Sequence, residues 1–419
     1  MLIDIKKAPL LTTMILSTTY AYAANDSVPR IIGGISTDAQ SWMVAIGSPQ
    51  NNKWKNFCGG TLIDKDWVLT AAHCLEDTQL TGLQVAIGVS DLNKSPTRHV
   101  VDQVVIHETY LTNYLNTLSI TDAEGDSDIA LLHLRSSSMN APLRISEKSA
   151  NDFVKGISSF TTWGYGGIDP DSTLSSSQLL KVNLSFEGFR DLWYRDPTRT
   201  HIFAGNIPGK DSCSGDSGGP LTDDSGLVGV TSYGGNKCGA GTPGAYTFAP
   251  MFRDWVAQQT NNVSITSHQL VEVPAGQHTW IGFTVLNPKA TPVELVNINA
   301  DTPAMRSECP QFLGAGAKCK IKLRFDANFT PETFKKYQVN LTAINSDGSS
   351  KRLNASLVGV TKEKSINGNT VTSTDGSTST TTTTSSVTST SSSSGGGSFG
   401  LFSFISLLSI ALVRRFSIK

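Results

Sequence analysis

The sequence predicts an all-β protein, and three observations carry that prediction. Short apolar runs of strand length recur, such as Trp67-Val68-Leu69 and Leu227-Val228-Gly229-Val230. Farther along, Cys319, Ile321, Leu323 and Phe325 alternate with Lys320, Lys322 and Arg324, and Tyr337, Val339 and Leu341 repeat that period of a half-buried strand. Asp347-Gly348 lies between two alternating segments, where a hairpin turn is expected. The chain has 419 residues, more than one ordinary core accommodates, so two folded domains plus tails are expected.

Charge excludes some functions. The net charge is −1 and charged residues make up only 16% of the chain, so no basic surplus points to nucleic acid and no acidic block points to a basic partner. The six cysteines, Cys58, Cys74, Cys213, Cys238, Cys309 and Cys319, form three near-neighbour pairs along the chain. An even count beside an export signal favours disulfides over free buried thiols. No CxxC spacing or His cluster accompanies them, so neither a metal nor a cofactor is expected.

The two ends read as addresses. Residues 1–23 have a secretory signal pattern: Lys6 and Lys7, an apolar stretch starting at Leu10, and the small-x-small site Ala21-Tyr22-Ala23. Residues 24–30 would remain as a pro-segment. Residues 363–394 are dominated by Ser and Thr, cannot bury enough apolar surface to offset their conformational entropy, and read as a flexible linker. Residues 395–419 run glycine-rich, apolar, then basic. The 15-residue apolar run from Phe399 to Val413 is short for a bilayer about 30 Å thick. That order resembles the GlyGly C-terminal sorting tail of Gram-negative exported proteins. The resemblance implies transient membrane engagement through the tail, export through the periplasm and release or attachment at the cell surface; a plain membrane anchor is the alternative.

Four strings occur in one order within residues 31–262 and at their leading edge. They are Arg30-Ile31-Ile32-Gly33-Gly34, Thr70-Ala71-Ala72-His73-Cys74, Asp128-Ile129-Ala130-Leu131-Leu132, and Asp211-Ser212-Cys213-Ser214-Gly215-Asp216-Ser217-Gly218-Gly219-Pro220. Together, and with the order His, Asp, Ser, they resemble the trypsin-like (chymotrypsin-fold) serine protease family across roughly half the chain. The resemblance implies two antiparallel six-stranded β-barrels, with Met251 to Gln259 as the closing helix.

A serine hydroxyl is a poor nucleophile at neutral pH and needs a base, which in turn needs an orienting acid. By resemblance Ser217 is the nucleophile, His73 the base and Asp128 the acid that fixes the His73 tautomer, while the N–H groups of Gly215 and Ser217 form the oxyanion hole. Each alone has a bland reading: a core histidine, a capping acid, a turn serine. The resemblance further implies activation by cleavage between Arg30 and Ile31, after which the new α-amino group pairs with Asp216.

Asp211 lies six residues before Ser217, where trypsin-like members carry the acid at the base of the S1 pocket. A buried carboxylate there selects Arg or Lys, because it would otherwise stay unpaired. Ser212, Ser232, Gly234 and Gly244 complete that pocket by the same resemblance, with Tyr233 in place of the family's Trp and the glycines leaving room for a long side chain. The resemblance pairs Cys58 with Cys74 and Cys213 with Cys238. One family bridge is lost, since Phe203 stands where most members have Cys; this clouds the loop at 190–200 and the subsites beyond S1. The segment Gly88 to His99 lacks the paired Glu of calcium-binding members.

Residues 263–362 carry no catalytic signature. About seven short strands are expected, making a small β-sandwich. Cys309 and Cys319 flank Leu313-Gly314-Ala315-Gly316, a string that resembles bacterial immunoglobulin-like domains and implies a third disulfide. The domain reads as a substrate- or surface-binding module or a spacer, or as a passive packing partner, and its Lys320, Lys322, Arg324 stripe as a solvated face.

The leading functional expectation is a secreted, monomeric endopeptidase acting on proteins or peptides after Arg or Lys. Two others stand beside it: a catalytically silent homologue serving as a surface adhesin, and a regulatory protease that activates other exported zymogens.

Overall fold

The computed structural model describes residues 31–363, except 51–52, 95, 118–126, 190–199, 303 and 329–333. The expected signal peptide, the pro-segment with Arg30, most of the 190–200 loop, the linker beyond Glu363 and the C-terminal tail lie outside the described residues.

The first barrel contains β2 (Met43–Gln50), β3 (Lys53–Asp64), β4 (Trp67–Thr70), β5 (Gln84–Ile87), β6 (Arg98–Ile106) and β7 (Ala130–Leu134), closed in the order β2-β3-β4-β7-β6-β5. The second contains β8 (Ser159–Gly164), β9 (Leu180–Gly188), β10 (His201–Ala204), β11 (Pro220–Asp223), β12 (Gly226–Tyr233) and β13 (Gly244–Phe248). Their order, β9-β10-β13-β12-β11-β8, closes through the β8–β9 pair, and the two-residue β1 (Ile35–Ser36) adds to β9. All pairs are antiparallel, as short connections between successive strands require.

Inward side chains fill each barrel. Val44, Leu62, Val68, Leu69 and Leu131 are buried in the first, and Phe160, Leu180, Ile202, Leu221 and Tyr246 in the second. Each such side chain contributes about 1.5–3 kcal/mol when fully removed from water. Helix α1 (Glu108–Thr117) follows β6, where no helix was expected; it buries Tyr110 and Tyr114. The closing helix α2 runs Arg253–Asn261, two residues later than expected, because a 3₁₀ turn containing Pro250 occupies Ala249–Phe252.

After α2 come nine strands in two sheets, β14 (Ser264–Ile265), β15 (His268–Pro274), β16 (His278–Leu286), β17 (Val293–Ala300), β18 (Met305–Ser307), β19 (Phe312–Leu313), β20 (Lys318–Asp326), β21 (Phe334–Ile344) and β22 (Ser350–Lys362). One sheet is β14-β16-β20-β18 and the other β15-β22-β21-β17-β19, and their inner residues share one core that includes Phe283, Ile321, Phe325, Val339 and Leu357. Six of the nine have seven residues or more; β14, β18 and β19, two or three residues each and strands only by virtue of their partners, bring the count past the expected seven. Along β20 buried and more exposed residues alternate, and Gly348 turns the β21–β22 hairpin at φ +80°. Disulfides join Cys58 to Cys74, Cys213 to Cys238 and Cys309 to Cys319. Among the described residues no helix is long and apolar enough to cross a membrane.

Candidate active site

The barrel pairings assemble the site. In the β4–β7 ladder Thr70 lies opposite Ala130. His73 sits three residues beyond Thr70 and Asp128 two before Ala130, so the antiparallel register carries both to the same barrel end. Ala71 and Ala72 are fully buried, which seats the turn deeply, and the Cys58–Cys74 bridge ties it to β3. His73 Nδ1 lies 2.8 Å from Asp128 Oδ2, and the His73 backbone N–H donates to Asp128 Oδ1 at 2.9 Å. With Nδ1 held by a carboxylate, Nε2 is the nitrogen left to accept a proton.

Asp128 belongs to the first barrel but is gripped by the second. Ser232 Oγ on β12 donates to its Oδ2 at 2.5 Å, and Thr247 Oγ1 on β13 donates to its carbonyl oxygen at 2.8 Å. Asp128 is only 3% exposed. Burial pushes its pKa up, but the His73 charge, with the hydrogen bonds from His73 and Ser232, outweighs burial and brings it to about 2.

Ser217 lies on the turn before β11. Gly215 and Gly218 flank it at φ +91° and +78°, in the left-handed region glycine tolerates. At Gly218 space also decides: an added Cβ would fall 2.1 Å from Thr70 Oγ1 and 2.5 Å from the Gly59 carbonyl oxygen. The Ser217 turn therefore presses against the strands that lead to His73.

A cavity of about 190 Å³ opens beside Ser217, lined also by Asp211, Ser212, Ser232, Tyr233 and Gly234. Asp211 is buried, accepts the Gly239 N–H at 3.0 Å, and is raised by burial to about 6. A Cβ at Gly234 would meet nothing within 4 Å, so that position faces open space. Gly244 is not among the cavity-lining residues; a Cβ there would sit 3.3 Å from Tyr246 Cε2 and 3.5 Å from Asp211 Oδ1. Ser212 Oγ is 3.0 Å from Tyr246 Oη.

Asp216 is fully buried, and its two oxygens accept the N–H groups of Gly166 at 2.8 Å and Cys213 at 2.9 Å. Burial raises it to about 7 despite those bonds. Ile31 is also fully buried, in the core of the second barrel, at φ +43°. The neighbouring Ile32 carbonyl accepts the Asp211 N–H at 3.1 Å.

Sequence reasoning placed Ser232 in the pocket wall and missed its bond to Asp128. It also missed Thr247 and the buried Glu76, which belong to no recognised string, and the bond from Gly59, a residue of the matched Cys58-Gly59-Gly60-Thr61-Leu62-Ile63 string, to Ser217. Among the described residues, Cys58, His73 and Cys74 bring three donor atoms within 4.8 Å of one another, but both sulfurs are spent in the disulfide and do not fit a metal.

Two closed barrels, with a carboxylate-held histidine and a glycine-flanked serine at their junction, define a serine-hydrolase architecture. The Trypsin family model matches residues 31–256, and the chain belongs to that family: it is a trypsin-family serine protease, whose substrates are proteins. It is 31% identical to a trypsin of Phaedon cochleariae, over 55% of this chain and 88% of that protein. It is 30% identical to tonin of Rattus norvegicus, over 58% of this chain and 95% of that protein. The secreted serine protease VesC of Vibrio cholerae superposes with a TM-score of 0.57 at 26% identity, over 78% of this chain and 71% of that one. The fold of the VesB protease of Vibrio cholerae is also similar, with a TM-score of 0.58 at 22% identity, over 79% of this chain and all of that one.

Proposed function

We propose that the protein is an endopeptidase that cleaves after Arg or Lys through an acyl-enzyme. The observation that carries this reading is Asp211, a buried carboxyl on the wall of the cavity that also holds Ser217. With only backbone N–H partners its charge is poorly compensated, and a guanidinium or ammonium would supply what is missing.

In the proposed cycle Ser217 Oγ attacks the scissile carbonyl carbon and His73 Nε2 takes the hydroxyl proton. His73 then gives that proton to the leaving amine as the C–N bond breaks, and water releases the acyl group by the reverse route. Asp128 stabilises the imidazolium, and the N–H groups of Gly215 and Ser217 receive the oxyanion; one such donor is worth about 2.7–4 kcal/mol.

Cleavage between Arg30 and Ile31 would activate the chain. Asp216 supports this step, since a buried acid held near neutral pH by burial awaits a cation, and the freed α-amino group of Ile31 is that cation in this reading. Export, as the name of the similar secreted VesC protease suggests, a monomeric state, release or surface attachment through the C-terminal tail, and an immunoglobulin-like identity for the second domain belong to the same proposal.

The test is hydrolysis of chromogenic peptides ending in Arg, Lys or Phe by protein with a verified Ile31 terminus, beside Ser217→Ala. Cleavage after Arg or Lys that vanishes in the variant is expected. Cleavage after Phe alone would overturn the pocket assignment, and no cleavage at all would favour a silent surface adhesin.

A further inference from the structure

The second domain does not merely follow the protease; two adjacent residues of it hold both segments that carry the His–Asp pair. Strand β5 covers only the start of β6, pairing with Arg98, His99 and Val100. The later part of β6 pairs with β7, the strand that begins two residues after Asp128, with Ile106 opposite Ala130. Backbone groups of β6 beyond the reach of β5 need other partners. Ser267 supplies two of them: its N–H donates to the Val104 carbonyl at 2.9 Å and its Oγ accepts the Ile106 N–H at 2.8 Å, while Thr284 Oγ1 donates to the Asp102 carbonyl.

The next residue, His268, reaches the other segment. Its Nε2 lies 3.2 Å from the carbonyl oxygen of Glu76, three residues after His73, and its Nδ1 lies 2.8 Å from Ser356 Oγ. Burial brings the ring's pKa down to about 4, with the Lys336 charge acting the same way and the Glu76 bond against it, so the ring is neutral at pH 7. A carbonyl only accepts, so the single N–H sits on Nε2 and the Ser356 hydroxyl donates to Nδ1. Helix α1 closes the remaining side. Tyr110 Oη donates to Glu76 Oε2 at 2.9 Å, Tyr114 Oη donates to Asp77 Oδ1 at 3.1 Å, and the Tyr114 ring meets His268 edge-on at 5.6 Å. The titratable groups set against His268 are Tyr114, whose ring meets it, and Lys336, whose charge acts on it; the Glu76 and Asp77 carboxyls are taken up by Tyr110 and Tyr114.

We propose that Ser267 and His268 are positioning residues for peptide-bond cleavage, a clip through which the second domain holds His73 and Asp128 in register. The proposal rests on the catalytic reading above. Ser267 grips the strand beside Asp128 and His268 grips the turn behind His73, so the two ends of the His73–Asp128 hydrogen bond are anchored by one dipeptide. Without the clip the imidazole is held less tightly over its carboxylate, and turnover falls while binding of the side chain before the cut does not.

The test uses the full-length protein processed to Ile31, with active sites counted by a serine-directed phosphonyl fluoride. His268→Leu removes the donor, His268→Gln keeps an N–H that reaches the Glu76 carbonyl, and Ser267→Ala removes the acceptor for Ile106. For an arginyl nitroanilide, kcat per titrated site should fall about tenfold in His268→Leu with KM unchanged, and the acid limb of its pH profile should move. His268→Gln should recover most of the loss, and Ser267→Ala should lose about threefold. A purely structural role would lower the number of titrated sites but leave kcat per site and the pH limb at the wild-type values; that outcome overturns the proposal. If His268→Leu does not fold, Ser267→Ala decides by the same readout. Failure of the wild-type protein to be labelled would instead overturn the catalytic reading.

Discussion

Gly59 donates its backbone N–H to the carbonyl oxygen of Ser217 at 2.7 Å. The bond crosses from the first barrel to the turn of the second that bears the serine. It is reinforced by Thr70 Oγ1, which donates to the Gly59 carbonyl at 2.8 Å, so the strand leading to His73 and the turn bearing Ser217 share one small network. Gly218 makes that contact possible. Gly218→Ala would force a Cβ to 2.1 Å from Thr70 Oγ1 and should lower kcat/KM about 100-fold, since an ångström of misplacement has that effect. Gly316→Ala is the control: it shares a positive φ but meets nothing within 4 Å, so it should cost about 1–2 kcal/mol of stability and leave kcat alone.

Ser232→Ala tests the grip of the second barrel on Asp128. Removing a donor from a buried carboxylate costs about 1.5–3 kcal/mol, so kcat should fall at least about tenfold. Steady-state kinetics with active-site titration check it; an unchanged kcat would show that His73 alone suffices to orient the acid.

Asp211→Ser should reverse the preference of the pocket. The kcat/KM for arginyl substrates should drop by about 10⁴-fold or more, the scale on which a site built around a buried polar group discriminates. Phenylalanyl substrates should lose far less. Comparable losses for both would place Asp211 in the scaffold instead of the pocket.

The pH dependence of stability should run opposite to that of most acidic groups. Burial, with the Asp77 charge next, holds Glu76 at about 8 in the folded chain against 4.5 unfolded. Between those values the folded chain keeps a proton that the unfolded chain has released. Stability therefore falls as pH rises from about 4.5 to 8. In a Ser217→Ala background, which in the proposed cycle removes self-digestion, Glu76→Gln should flatten the fall in Tm above pH 7 and raise Tm at pH 8.5. Asp211 and Asp216, raised to about 6 and about 7, should keep a slope of the same sign below that range. An unchanged slope above pH 7 would mean that Glu76 ionises normally in the fold.

What the sequence by itself determined is local and dense. Thr70 to Cys74 and Asp211 to Pro220 are contiguous strings in which each residue's task depends on its immediate neighbours, so the His73 turn, the glycine-flanked Ser217 and the buried Asp211 were all legible before any coordinates. Alternation in β20 and β21 was legible for the same reason: a strand's faces are set by a period of two. The tertiary structure alone decided what joins these pieces. Ser232 and Asp128 are 104 residues apart, and His268 and Glu76 are 192 apart. Pairs so distant leave no spacing in the chain, because they form only where barrel closure and domain packing bring separate backbones together. Strands β14, β18 and β19 were hidden likewise, being defined by the strand beside them. The chemistry was written in short strings, while the geometry that aligns it came from contacts whose specificity is a property of the packed whole.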